Sequence, residues 1–171
     1  MVIPLPKITI VDDIMAPRDT VIVRFQGKNP AAVIIMVPRL LIDTLKVSAK
    51  DVLETDVRWD AVNPEMRDFY GRWAGKRKED RWSKTMVRVL IQGQQHAKER
   101  TGWVRIEIRG TVTTDYEYSN SIQRTFWWFY NLLFYNQQRR KYLEDAKDVI
   151  FELRTIFQRT LGIQPEEQPT W

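Results

Sequence analysis

The chain of 171 residues contains no cysteine and one histidine. The first absence excludes disulfides, thiolate metal sites and thiol nucleophiles. The second leaves His96 as the sole imidazole, in the polar stretch Gln94-Gln95-His96-Ala97-Lys98, with no neighbouring partner pattern to make it a base. None of the seven glycines belongs to a phosphate-binding loop. No Ser or Thr lies in a nucleophile-elbow pattern, and no His/Cys cluster has the spacing of a transition-metal site. These absences point to a non-enzymatic protein and imply neither metal nor cofactor. No segment reaches the run of about 18 apolar residues that a membrane span needs. The start, Met1-Val2-Ile3-Pro4-Leu5-Pro6, lacks the basic region, apolar block and small-residue cleavage site of a secretory signal, so the expected location is cytoplasmic.

Aromatic residues are plentiful: seven Trp, six Tyr and seven Phe supply a core with large, rigid side chains. The length suits a single α+β domain over residues 1–163, and the Pro- and Glu-containing segment 164–171 reads as a flexible tail. Twenty-seven basic residues against twenty-two acidic ones leave a formal charge of +5, a modest bias towards polyanionic partners.

Hydrophobic periodicity orders the elements. A short strand is expected at Ile8 to Val11 and a secure one at Thr20 to Gln26, where Val21, Val23 and Phe25 alternate with polar neighbours. Asn29 and Pro30 read as the start of a helical region that Pro38 either divides into two short helices or kinks as one, about residues 30–37 and 38–46. Asp51 to Asp60 alternates, with Leu53, Thr55, Val57 and Trp59 opposed to Glu54, Asp56, Arg58 and Asp60. Strands are also expected at Phe69 to Trp73 and Arg81 to Gln92, with the charge run Lys76 to Asp80 between them, and at Trp103 to Tyr118 with a bend at Gly110. Short polar loops between such strands imply antiparallel pairing.

Ser119 to Leu161 reads as one long helix, capped by Asn120 with Gln123 and stopped by Gly162 and Pro165. At about 100° per residue, Trp128, Leu132, Tyr135, Tyr142, Leu143, Ala146, Val149, Ile150, Leu153 and Phe157 form one stripe, the expected core face. Ile122, Phe126, Phe129, Tyr130 and Leu133 lie opposite. The first half of the helix is therefore expected to be sandwiched between a sheet and another part of the chain. The alternative is that its second face meets a partner, a ligand or a membrane surface.

The fold class is thus an antiparallel sheet with two short helices after the first strand and a long C-terminal helix packed across it. This order, over roughly residues 18–161, resembles the helix-grip fold of the START-like superfamily, which includes lipid-transfer domains, polyketide cyclases and pathogenesis-related ligand carriers. The resemblance implies a curved sheet gripping the last helix, with an apolar cavity between them for a hydrophobic ligand. The chain departs from that pattern in having no Gly-rich loop among its early strands, and no family residue carries over.

Candidate functional residues follow from these patterns. Trp59, Phe69, Trp73, Val89, Ile106, Ile108, Trp128, Leu132 and Tyr135 are the candidates for the core or a ligand cavity. Ile122, Phe126, Phe129, Tyr130 and Leu133 are the candidate face for a protein partner, a membrane surface or a second copy of the chain. Arg72, Lys76, Arg77, Lys78, Arg81, Lys84 and Arg88, interleaved with Trp73 and Trp82, combine cations with flat rings as nucleic-acid binders do, and Arg139, Arg140 and Lys141 extend the set. Glu79 and Asp80 interrupt it. The carboxylates Glu54, Asp56 and Asp60, and Asp115 with Glu117, share strand faces with arginines, which cross-strand pairing explains. The leading expectation is an intracellular binding domain that holds a hydrophobic ligand or protein partner between sheet and helix. An RNA- or DNA-binding protein is the alternative, and a peripheral membrane-surface protein or cavity enzyme comes third.

Overall fold

A computed structural model describes residues 5–164; residues 165–171 of the expected tail lie outside it. Six antiparallel strands form one sheet: β1 (Lys7–Asp13), β2 (Val21–Lys28), β3 (Val52–Asp60), β4 (Met66–Lys78), β5 (Ser83–His96) and β6 (Thr101–Glu117). The order runs β3-β4-β5-β6, and both β1 and β2 pair with β6. β2 takes the Thr101 to Ile108 half of β6 and β1 takes Thr111 to Glu117. Period-two alternation assigns the faces. One face presents Phe69 and Trp73 of β4, Val87, Val89 and Ile91 of β5, and Val104, Ile106, Ile108 and Val112 of β6, all buried. Both long helices pack on that side, α1 (Val33–Leu45) against β3 and β4 and α3 (Asn136–Thr160) against β2, β5 and β6.

Close approach of the helices is set by a row of small positions. Gly75, Val87 and Gly110 are in register across three strands. A Cβ on Gly75 would meet Leu45 of α1 at 2.4 Å, and one on Gly110 would meet Ile14 at 2.5 Å and Ile150 of α3 at 3.0 Å. Glycine there lets Leu45 and Ile150 rest on the strands.

Several sequence expectations are narrowed or changed. A 3-10 turn, Pro30–Ala32, leads into α1, which runs unbroken through Pro38. Proline forgoes one intrahelical bond, but the buried stripe Val33, Ile34, Val37, Leu41 and Leu45 continues across it, so packing outweighs the loss. Asn29 adopts left-handed backbone (φ 53°) and makes no side-chain cap; its N–H donates to the Arg100 carbonyl instead. In β3 a bulge lies between Glu54 and Asp56. The extra residue reverses the alternation, so Glu54 joins Val57 and Trp59 opposite inward positions of β4 while Leu53 turns to the open face and is exposed.

The C-terminal helical run has three parts: α2 (Ser121–Tyr130), a π-helical turn (Asn131–Tyr135) and α3. Asn120 Oδ1 accepts the Gln123 amide at 2.8 Å, and Gln123 Oε1 accepts the Ser119 amide at 2.9 Å, so both orphan donors are satisfied. At the far end Gly162, φ 71°, donates to Arg159 while Ile163 donates to Gln158, the paired bonds of a Schellman stop. The π turn is wider than an α turn and shifts the face by about one residue. Trp127, Asn131 and Tyr135 therefore point inward, whereas Trp128 and Leu132, expected in the core stripe, are 47% and 70% exposed. From Ala146 onward the expected stripe is buried: Ala146, Val149, Ile150, Leu153 and Phe157.

Candidate functional site

The expectation that the first half of the helix is sandwiched is overturned. Ile122, Phe126, Phe129 and Leu133 recur at helical spacing on the side away from Trp127 and Tyr135, and are 60–71% exposed. Trp128, Tyr130, Leu132 and Phe134 are also exposed, giving eight large apolar or aromatic side chains within thirteen residues. Singly exposed apolar residues are ordinary, but a contiguous patch marks a contact surface. A shallow cleft of about 370 Å³ crosses it, lined by Ser121, Ile122, Thr125, Phe126 and Phe129. From Tyr118 to Leu143 the chain carries no acidic residue, while Arg124, Arg139, Arg140 and Lys141 fall within or just after the apolar stretch.

Aromatic and polar contacts hold this helix to the sheet end. Trp82, in the turn between β4 and β5, makes edge contacts with Tyr116, Tyr130 and Tyr135 at 6.0, 5.9 and 5.3 Å. Tyr116 also stacks on Trp127 at 4.9 Å. Beneath them the Tyr135 hydroxyl donates to Asp80 Oδ2 at 2.8 Å and lies 2.6 Å from Ser83 Oγ, which in turn lies 2.7 Å from Thr114 Oγ1. Tyr142 donates to the same Asp80 oxygen at 2.9 Å, and the Trp82 and Ser83 amides donate to the other, each at 2.7 Å. Burial alone raises the Asp80 carboxyl, but these amides and hydroxyls outweigh it and hold the group below its ordinary value. Burial pushes the Tyr135 hydroxyl well up, helped by the adjacent carboxylate, so it remains a donor at neutral pH.

The network also sorts the charge run of the β4–β5 hairpin. Arg77 turns inward onto Glu79 at 2.7 Å, and Thr85 donates to that same carboxylate at 2.6 Å. Asp80 is held by the two tyrosines. Lys76, Lys78 and Arg81 are left exposed, and among the described residues they make no ion pair. Lys78 faces Lys84 across the strands, and Lys84 reaches Asp115 at 3.3 Å. These residues and Trp82 line a cleft of about 550 Å³.

The remaining candidates are dispersed. Phe69, Trp73, Val89, Ile106 and Ile108 lie buried on the inner sheet face, and Trp73 Nε1 donates to Glu54 at 3.2 Å. Trp59 is half exposed at the sheet edge, 5.8 Å from Phe69. A third cleft, about 430 Å³, lies where Arg24, Phe25 and Gln26 meet Trp103, Val104 and Arg105; none of the three is lined by α3. Arg72 lies over the Tyr70 ring and donates to its hydroxyl at 2.9 Å. The basic-aromatic set therefore does not share one face, since Trp73 and Arg77 point inward. Arg139 is held by Asp12 of β1 at 2.9 Å, while Arg140 and Lys141 are exposed.

His96 Nδ1 accepts the Lys98 and Glu99 amides and so shapes the β5–β6 turn. Asp56 pairs with Arg58, and Asp115 accepts from Thr9 at 2.7 Å; that bond, against some burial and with help from Lys84, holds Asp115 below its ordinary value. Among the described residues no group of three His, Asp or Glu side chains is arranged to hold a metal, and no helix is long and apolar enough to cross a membrane. Sequence reasoning missed the roles of Asp80, Ser83 and Thr114, because contacts across 31 to 62 positions leave no local pattern, and that of Trp127, because the π turn that brings it inward has no sequence signature.

No family model and no curated protein matches the chain. Solved structures similar to it include an uncharacterised protein from Rhizobium leguminosarum, 9% identical, with 85% of this chain and 99% of that one covered and a TM-score of 0.19. A protein of unknown function from Staphylococcus aureus is 14% identical over 86% of this chain and 96% of its own, also with a TM-score of 0.19. At that score neither bears on function. The chain is an α+β protein with a six-stranded antiparallel sheet, a long C-terminal helix packed on it and topology compatible with the helix grip.

Proposed function

We propose that this protein is a non-enzymatic, START-like binding domain that docks on a lipid surface through the first half of its C-terminal helix. The supporting observation is the exposed set Ile122, Phe126, Phe129 and Leu133, continuous along the outer face of α2 and its π turn. Aromatic and aliphatic side chains of this kind lie in the headgroup and upper acyl region when a helix rests in the interface plane. The absence of acidic residues between Tyr118 and Leu143, with Arg124, Arg140 and Lys141 exposed, favours lipid over an apolar protein groove, because anionic lipid attracts those cations. A cytoplasmic location belongs to the same proposal, since cytoplasmic leaflets carry that charge.

The double substitution Phe126→Ser/Phe129→Ser tests it. Both rings are mostly exposed, so folding stability should stay within about 0.5 kcal/mol of the parent. Flotation with phosphatidylcholine vesicles should nevertheless fall at least about tenfold, each ring contributing of order 1–2 kcal/mol on partial burial. Undiminished flotation, or absence of flotation by the parent with neutral and anionic vesicles alike, refutes the docking role. A shift of the parent from dimer to monomer on the same substitution, without any vesicle binding, assigns the face to a second copy of the chain instead.

A further inference from the structure

We infer that the end of the β4–β5 hairpin is an anionic-headgroup site serving the aromatic helix, so that docking selects negatively charged phospholipid; the inference rests on the lipid-docking reading. The first ground is the sorting of charge by face. The run Lys76 to Lys84 is mixed in sequence, yet Glu79 is engaged by Arg77 and Thr85, and Asp80 accepts four hydrogen bonds from the chain itself. The acids along the same cleft are engaged too: Asp115 by Thr9 and Lys84, Asp51 by the Ser48 hydroxyl at 2.7 Å. Only Glu117 is left without such a partner in the lining. The cations have no such internal use. Lys76 and Lys78 project from alternate positions of β4 on the open side, Arg81 stands at the turn, and all three are exposed.

Register supplies the second ground. Lys78 and Lys84 are directly paired across the strands; Asp115 lies beside Lys84 at 3.3 Å, so Lys78 is the ammonium of the pair that makes no ion pair among the described residues, and an anion beside it relieves the repulsion. The third is position. Trp82 lines this cleft and its ring also touches Tyr130 and Tyr135 of the aromatic helix, so the cleft that carries Lys76, Lys78 and Arg81 and the apolar patch meet at one side chain. A phospholipid offers that combination, a phosphate for the ammonium and guanidinium groups and acyl chains for the rings. The cleft, about 550 Å³, is within the range of small-ligand sites.

The test compares flotation of the full chain with vesicles of phosphatidylcholine alone and of phosphatidylcholine mixed with phosphatidylglycerol. At low salt the parent should bind the anionic vesicles at least about tenfold more tightly. Lys76→Gln/Lys78→Gln/Arg81→Gln should reduce that preference to near unity while keeping the binding to neutral vesicles. A charge-matched control, Arg24→Gln/Lys28→Gln/Arg88→Gln, removes three exposed cations elsewhere and should keep the preference; far-UV circular dichroism verifies folding, with Lys78→Gln alone as the milder variant. Equal binding of the parent to both vesicles overturns the headgroup site and leaves the docking reading intact. Loss of preference in the control as fully as in the hairpin variant also overturns it, because net charge then suffices. Binding to neither vesicle overturns both. Displacement from vesicles by soluble glycerol phosphate at equal phosphate concentration assigns the cleft to a free phosphate ester and refutes the lipid source.

Discussion

Replacing Tyr135 by Phe removes one oxygen from the place where the C-terminal helix is fixed to the sheet. The side chain is 3% exposed, and its hydroxyl lies 2.6 Å from Ser83 Oγ and 2.8 Å from Asp80 Oδ2. A hydrogen bond to an ionised group contributes about 1.5–3 kcal/mol and a neutral one about 0.5–1.5 kcal/mol. The loss falls towards the low end, because Asp80 keeps Tyr142 and the Trp82 and Ser83 amides, while Ser83 turns to Thr114. The expected destabilisation is about 2 kcal/mol, read as a lower urea midpoint at unchanged slope.

Acid titration gives a second reading of the same substitution. The Asp80 carboxyl is held below its ordinary value in the folded state. Its contribution is therefore present above the unfolded pKa and disappears as pH falls through the folded one. Removing one donor raises the folded pKa, so the variant should lose less stability on acidification, with the loss complete at a higher pH than in the parent. A urea shift worth less than about 0.5 kcal/mol, or an acid limb superimposable on the parent's, would refute the anchoring role of this cluster.

Two further outcomes follow from the sheet. Glu107, 12% exposed at its side chain, lies 2.9 Å from Arg105 and 3.3 Å from Arg109, which face Arg24 and Arg88 in register. Glu107→Gln should destabilise by about 1 kcal/mol in low salt and by less as salt screens the arginines; a salt-independent loss contradicts the electrostatic account. Gly110→Val should cost about 1–3 kcal/mol in urea unfolding, because its side chain enters the space of Ile14 and Ile150; a neutral substitution would show that α3 does not rest on that position.

How much of this was legible in the sequence depended on whether the information was local. The alternations of β5 and β6 could be read residue by residue, since each strand keeps its period over its whole length and one face is buried. The same reading failed in β3, where the bulge between Glu54 and Asp56 reverses the face and no residue there announces it. For α1 the sequence left two short helices and one kinked helix both open, because the penalty for Pro38 is visible in it and the compensating burial of Val33, Val37, Leu41 and Leu45 is not. Ile122, Phe126, Phe129 and Leu133 share a helix face by spacing alone, but their exposure is a tertiary property, and so is the turn of Tyr130 onto Trp82. In the hairpin, the partners of Glu79 and Asp80 come from β4, from β5 and from the C-terminal helix, so sequence order did not show them: Arg77 offsets the charge of Glu79, while the tyrosine hydroxyls hold Asp80 in place as a carboxylate.

The π turn links these observations to the docking reading. With α-helical spacing throughout, the stripe of Ala146, Ile150 and Phe157 would extend back through Leu132 and Trp128. The wider turn places Asn131 and Trp127 inward instead and leaves Leu132 and Trp128 exposed. Measured by the core alone this is a poor arrangement. A buried leucine contributes about 1.5–3 kcal/mol relative to an exposed one, and the asparagine that is buried needs a partner, which Arg139 supplies at 3.4 Å. Tyr135, at the end of the turn, reaches Asp80 from this register, and Tyr116 stacks on Trp127, so the turn is held in place from both sides. The result is an outer surface larger and more apolar than folding requires. Under the proposed docking, lipid covering that surface would recover the burial that the turn gives up, which is the ground for proposing the aromatic helix as a contact surface and not as a displaced piece of core.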